Sequence, residues 1–307
     1  MIRTSALISK VIRPLITINR YLQKFLFSID RKFGQGFSAE SHNEKVIRST
    51  ISHDMAMDHD EMYFADQYWL HVENGLNSFD FEEGALFLDL GCGQGRMTGR
   101  LAKWCRHEKH EVFGVDFSRT AVEQARNSVA GQGLGNVNFK VGDLLEYLNS
   151  QPDECVSCVL LLEVLIFHPE YNAVLSEVKR VLRKPGILFL SVRSEYFYAL
   201  SLVQGGMFEN ADLLLKERTG RLYGSDVCFN WHTVGEVSEI LTENHGFKVH
   251  DVVGIGCCSG IANDPLASIV RPSQLGESDK KILMEIECKV GRTVPDGGRY
   301  MLFTAEK

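Results

Sequence analysis

Beyond about residue 80 the apolar positions follow two rhythms. Short unbroken runs, each bounded by polar or turn-forming residues, read as buried strands. They cover 85–90, 112–115, 136–141, 156–162, 187–192, 247–253 and 299–306. Between them apolar residues return every three or four positions, which is the helical period. That spacing predicts helices over about 95–106, 119–130, 169–183 and 233–244, the second begun by Ser118 as its N-cap. Lys184-Pro185-Gly186 reads as a stop after the third. Another helix is predicted at 279–289, and the stretch from Glu61 to Leu70 reads as one upstream of the first strand. Strands alternating with helices imply an α/β fold with a mainly parallel sheet, helices on both faces. Two segments, 194–231 and 254–297, exceed ordinary connections. Long insertions usually carry function, so both are expected near the ends of the sheet, where they would cover a ligand.

The first thirty residues follow a different pattern. At 100° per residue, Leu7, Val11, Leu15, Ile18, Leu22, Phe25, Leu26 and Ile29 fall on one side. Arg3, Lys10, Arg13, Arg20 and Lys24 cluster opposite, and no acid occurs before Asp30. This is a basic amphipathic helix, kinked or split at Pro14. Cations interrupt every apolar run, so it is not a transmembrane span. Three readings stay open: docking on the protein's own core or a second subunit, lying in a membrane interface, or acting as an organelle-targeting presequence. Residues 30–50 read as a polar linker, which leaves 51–307 as the folded domain with its two insertions.

Composition changes this picture little. The chain has 307 residues, enough for one large domain or two small ones, and a formal charge of −7. The acidity argues against a nucleic-acid partner, whose phosphates need clustered Lys and Arg. The eight cysteines are scattered through apolar segments, which fits a reduced, cytoplasmic protein better than a disulfide framework. Cys155 and Cys158 have C-x-x-C spacing but lead into a strand and lack a second pair, so no metal is expected. The readings for location are therefore cytoplasmic, membrane-associated or organelle-targeted.

The candidate chemistry begins at FLDLGCGQG, residues 87–95. It is a strand, a tight glycine turn and the start of a helix, the place where parallel α/β sheets bind nucleotide-like ligands. A dinucleotide fingerprint needs G-x-G-x-x-G, but here the third glycine comes one residue early and Arg96 holds its place. An acid also stands at or beside three successive strand ends: Asp89, Asp116 and Asp143. Asp116 lies where an acid can accept hydrogen bonds from ribose hydroxyls. So much negative charge disfavours a ligand with phosphates and favours one carrying a cation.

The set FLDLGCGQGR, VFGVDFS, FKVGDLL, LLLEVLIFHPE and VKRVLRKPGILFLSVRS resembles the class I methyltransferases that use S-adenosylmethionine. The resemblance is strong over about 85–193 and looser to 307. It implies a doubly wound, Rossmann-like sheet of seven strands with the last one antiparallel. It implies that Asp89, with the turn Gly91-Cys92-Gly93, holds the methionine moiety, and that Gly95 lets the helix approach. Asp116 would bind both ribose hydroxyls, with Phe117 against the adenine. Asp143 would reach the adenine amino group, and Leu144 would flank the ring. Leu162 and Glu163 would border the transferred methyl. The helix at 61–70 would cover the cofactor edge, with Tyr63 and Trp69 as lid residues or as ordinary packing.

Methyl transfer from a sulfonium is an in-line displacement, so positioning supplies much of the rate. A base is needed only for an acceptor that keeps its proton until attack. His168 is the candidate, since His titrates in the useful range; the alternative is a packing role at a helix start. Arg193, Tyr196, Tyr198, Trp231 and His232 are acceptor-site candidates, Arg193 through an acceptor carboxylate and the aromatics through an apolar pocket. Each also has a plain packing reading. The function expected is methyl transfer to O or N of a small molecule, hydrophobic or lipid-like if the first helix meets a membrane. The main competitor is an inactive scaffold that binds S-adenosylmethionine. An NAD-dependent oxidoreductase and RNA or protein methylation are weaker alternatives.

Overall fold

The computed structural model describes residues 58–106, 109–166, 171–221, 228–260 and 270–307. The basic helix and linker expected over 1–50, the candidate base His168 and most of the 264–272 segment lie outside the described residues. A helix, α1 (His59–Leu76), precedes a run of alternating elements: β1 (Leu86–Leu90), α2 (Arg96–Cys105), β2 (Glu111–Asp116), α3 (Arg119–Ala130) and β3 (Val137–Val141). There follow α4 (Leu144–Asn149), β4 (Val156–Leu161), α5 (Tyr171–Val181) and β5 (Leu182–Arg193). The first long insertion contains α6 (Glu195–Gln204), α7 (Phe208–Glu217) and a small hairpin of β6 (Thr219–Arg221) and β7 (Cys228–Asn230). The chain then runs through α8 (Val234–Glu239), β8 (Lys248–Ile255), α9 (Glu277–Thr293) and β9 (Tyr300–Glu306).

The main sheet has seven strands in the order β3-β2-β1-β4-β5-β9-β8. All neighbours are parallel except β9, which runs antiparallel to both β5 and β8. The seven-stranded, Rossmann-like sheet with an antiparallel last strand is therefore as expected, with β9 inserted next to the edge. Successive side chains of a strand point to opposite faces. Phe87, Cys158, Leu160 and Phe189 join one core with α1, α2 and α9, while Leu88, Leu90, Val159 and Leu161 join another with α4, α5 and α8. Every residue of β4 is buried, which explains its continuous apolar run.

Several local readings need correction. Lys184-Pro185-Gly186 does not close α5; it lies inside the first turns of β5, which begins at Leu182. The helix read over 233–244 is α8 followed by one wide π turn, Ile240–Asn244. The helices α4, α6 and α7 were not anticipated. α6 is apolar on nearly all sides, so its periodicity is weak. The two insertions do different things. The first covers the C-terminal edge of the sheet: Asn230 N–H donates to Ile166 O at 3.0 Å, and His232 N–H to Arg193 O at 2.9 Å. The second packs α9 against β8, so closely that a side chain on Gly291 would meet Gly254 O.

Candidate active site

In a parallel sheet the strand order reverses direction beside β1, and the crevice beyond the C-terminal ends of β1 and β4 is where such sheets take ligands. The glycine turn opens there. Gly91 has φ +71°, and a Cβ on it would collide with Val164; Gly95 has φ +81° and sits against Ala125 of α3. These two positions need glycine for close approach as well as for backbone shape. Gly93 differs: nothing lies within 4 Å of where its Cβ would be. It faces open space, a cradle into which a ligand can press against bare backbone. Gly95 also opens α2, whose first turn has no side-chain cap and so offers its positive end to an anionic group.

The acids surround this cradle in different states. Asp89 is buried in β1, and its Oδ2 accepts from Thr98 Oγ1 at 2.5 Å. Burial pushes its carboxyl up to about 7. Asp116, at the end of β2, spans the turn: Oδ2 accepts from Gly93 N–H and Oδ1 from Ser118 N–H, both at 2.8 Å. Burial raises its pKa, and the two amides oppose that rise. Each oxygen keeps a further lone pair. Asp143 caps α4, its Oδ1 accepting from Leu145 and Glu146 N–H, while the rest of the side chain is exposed. Phe117 is 38% exposed beside Asp116, Cys92 and Leu144 are buried, and Leu162 is half-buried. These positions share one edge of the sheet.

Beyond β4 lies a second layer, of which the sequence signalled only Glu163. Glu163 takes a left-handed backbone (φ +61°), and its N–H donates to Ser191 Oγ at 2.8 Å. Tyr68 Oη donates to the same oxygen at 3.2 Å. Arg96 donates to Glu61 Oε2 at 2.8 Å and to Glu61 O at 3.0 Å, and stands 4.0 Å from Glu163. Burial raises the Glu61 pKa and Arg96 pulls it back. So Arg96, read above only as a departure from a dinucleotide motif, ties α1 to the end of the glycine turn.

The acceptor candidates separate. Arg193 ends β5 on the same face as Ser191, 6% exposed, against Phe229, Tyr198 and Tyr300. Trp231 belongs to the insertion's own core with Tyr198 and Phe229. His232 points the other way, against Tyr171 and 3.4 Å from Glu236; burial lowers its pKa. Two further candidates lie on helices. Tyr63 is buried on the α1 face that meets the second insertion, within the field of Glu287 and Cys258. It is not among the residues at the strand ends, whereas Glu61 and Tyr68 of the same helix are. Tyr196 is 47% exposed on α6.

Comparison with known proteins follows from this geometry. Residues 81–217 match the model of a family described as a methyltransferase domain. Over that stretch, under half of the chain, the sequence is similar to methyltransferase domains. Among curated proteins, an EEF1A lysine methyltransferase 2 of Danio rerio is 32% identical over 28% of this chain and 35% of its own length. A demethylmenaquinone methyltransferase of Geobacillus kaustophilus is 29% identical over 48% of this chain and 62% of its own. The chain thus spans less than two thirds of the curated relatives it matches here. A solved structure from Listeria monocytogenes, assigned to the S-adenosylmethionine dependent methyltransferases, superposes with a TM-score of 0.52. It is 19% identical and covers 79% of this chain and 99% of the other, a likeness of fold.

Proposed function

We propose that this chain transfers a methyl group from S-adenosylmethionine to O or N of a small, largely apolar acceptor. The observation that carries the reading is the open cradle at Gly93, with the Asp116 carboxylate across it and Asp89 beneath. The residues present fit the cofactor: bare backbone for close approach, an uncapped helix start for its carboxylate, and acids for its cationic groups. When bound, S-adenosylmethionine supplies an electrophilic methyl on a sulfonium. Asp89 and the turn hold the amino-acid end, Asp116 takes ribose hydroxyls through its remaining lone pairs, and Asp143 with Leu144 and Phe117 lines the adenine side. Leu162 and Glu163 border the reacting face. His168 takes the acceptor's proton where the acceptor still has one.

The two relatives' names specify different acceptors, EEF1A lysine and demethylmenaquinone, so similarity alone selects neither. The buried aromatic cluster after β5, beside the end of the strand that carries Arg193, supports a small acceptor with an apolar body. The basic amphipathic pattern of residues 1–30 favours peripheral membrane contact and, with it, a lipid-like acceptor. The rival reading is a scaffold that binds the cofactor without turnover.

Calorimetric titration with S-adenosylhomocysteine tests the proposal. Wild type is expected to bind at micromolar concentration. Asp116→Ala is expected to bind at least about tenfold more weakly, having lost charged hydrogen-bond acceptors. A folded wild type that binds nothing would refute it. Binding with no methyl transfer to any acceptor in a broad screen would favour the scaffold.

A further inference from the structure

Arg193 carries a guanidinium with five N–H donors, yet it is 6% exposed. Its guanidinium carbon lies 3.8 Å from the centre of the Phe229 ring, 5.2 Å from Tyr198 and 5.7 Å from Tyr300. The rings cover its flat faces. Its Nε and Nη1 are buried and have no hydrogen-bond partner. Ring contacts offset part of the burial cost of a cation but give its N–H groups nothing to donate to.

The charges around it do not supply a partner. Of the two acids nearest the reacting edge, Glu61 is held by Arg96 and Glu163 stands by the same guanidinium. Arg299, 4% exposed, donates to Tyr198 Oη at 3.3 Å and adds another positive charge to the cluster. Glu195, two residues along the chain, is paired with Arg218 at 3.2 Å. The unmet donors of Arg193 are therefore where this group of charges is incomplete. The place is connected to the reacting edge: Tyr300 pairs with Arg193 in the sheet, and its phenol feels both Glu163 and Arg193.

The geometry points to Arg193 as the anchor for a carboxylate on the methyl acceptor, which would complete its hydrogen bonds and balance the buried charge. The inference rests on the methyl-transfer reading and narrows its acceptor to an organic acid with an aromatic or apolar body. Phe229, Tyr198 and Tyr300 form the wall for that body. The carboxylate anchors and the methyl goes to another atom, since a carboxylate held by a guanidinium is a weakened nucleophile.

The test uses the full chain saturated with S-adenosylhomocysteine and a panel of benzoate, phenylacetate and succinate, with benzamide as the uncharged control. At least one carboxylate is expected to bind in calorimetry, and benzamide at least about tenfold more weakly. Arg193→Gln should weaken that carboxylate by at least about tenfold while S-adenosylhomocysteine affinity stays within about twofold, and Arg193→Lys should recover part of it. Carboxylates indistinguishable from benzamide, or unchanged by Arg193→Gln, would overturn the proposal and leave a purely structural stack. If Arg193→Gln does not fold, Phe229→Leu, which removes the ring but keeps the charge, must retain the preference for carboxylate over amide. Carboxylate binding through Arg193 in a protein that ignores S-adenosylhomocysteine would sink the methyl-transfer reading while keeping the anchor.

Discussion

Asp89 has Thr98 as its hydrogen-bond donor and almost no contact with water. In the unfolded chain an Asp ionises near about 3.9. In the fold Asp89 ionises at about 7. The folded state thus holds a proton that the unfolded state has lost, and stability falls as pH rises from about 4 to about 7, then levels. Asp89→Asn removes that penalty. The variant should melt at a higher temperature than wild type at pH 8 and at a similar one at pH 4, with a gain of a few kcal/mol at the alkaline end. It should also bind S-adenosylhomocysteine more weakly, since a cationic ammonium prefers the ionised acid. By the same linkage, wild-type binding at pH 6 should release protons, and at pH 8.5 it should not. Titrations in buffers of unequal ionisation enthalpy read this directly, and identical heats in both buffers at pH 6 would contradict the assignment.

The helix α1 shows how an element becomes part of a site without a motif. Its N-terminus is fixed by Asp58, which accepts from Asp60 and Glu61 N–H, and by Asp60, whose carboxylate takes Arg271 and Ser273. Its inward face reaches the site through Glu61 to Arg96 and Tyr68 to Ser191. Breaking a buried ion pair strands the partner charge, so Arg96→Met should cost about 3 kcal/mol in a urea melt. Hydrogen exchange over 59–76 should rise ahead of exchange in the central strands, and Glu61→Gln added to Arg96→Met should restore part of the loss. Unchanged protection of α1 would mean that the clamp does nothing. The helix itself was legible in the sequence, but these contacts were not. Local signals revealed the strands, the glycine turn and the acids at the ends of β1, β2 and β3, because each lies within a few residues of its structural cause. Tyr68 and Ser191, 123 residues apart, meet only through the sheet order. Tyr300 reaches Arg193 only because β9 inserts beside β5. Tyr63 and Tyr68 look alike in the sequence, and only the orientation of α1 shows that Tyr68 is the one that meets Ser191.

The molecule as a whole is polarised. The C-terminal edge of the sheet gathers the glycine turn, the acids and the first insertion, and that insertion carries exposed apolar side chains at Leu200, Val203, Phe208 and Leu213. Charge is divided along the chain. Five cations and no acid lie in the first 29 residues, so the remainder is more acidic than the total of −7. An anionic surface would therefore attract the start of the chain and repel the body. No helix among the described residues is long and apolar enough to cross a membrane. Attraction of this kind is salt-dependent, with a screening length near 8 Å at physiological ionic strength. The full chain should co-sediment with vesicles containing phosphatidylglycerol, less with pure phosphatidylcholine, and less with the anionic vesicles in about 0.5 M salt, where the screening length falls to roughly half. A chain beginning at residue 40 should stay in the supernatant under all three conditions. Equal pelleting of the two would transfer the binding to the body, where the exposed apolar residues of α6 and α7 become the surface to mutate. Absence of pelleting for both would return the first helix to docking within the protein or to targeting, and would remove the argument for a lipid-like acceptor while leaving the Arg193 anchor untouched.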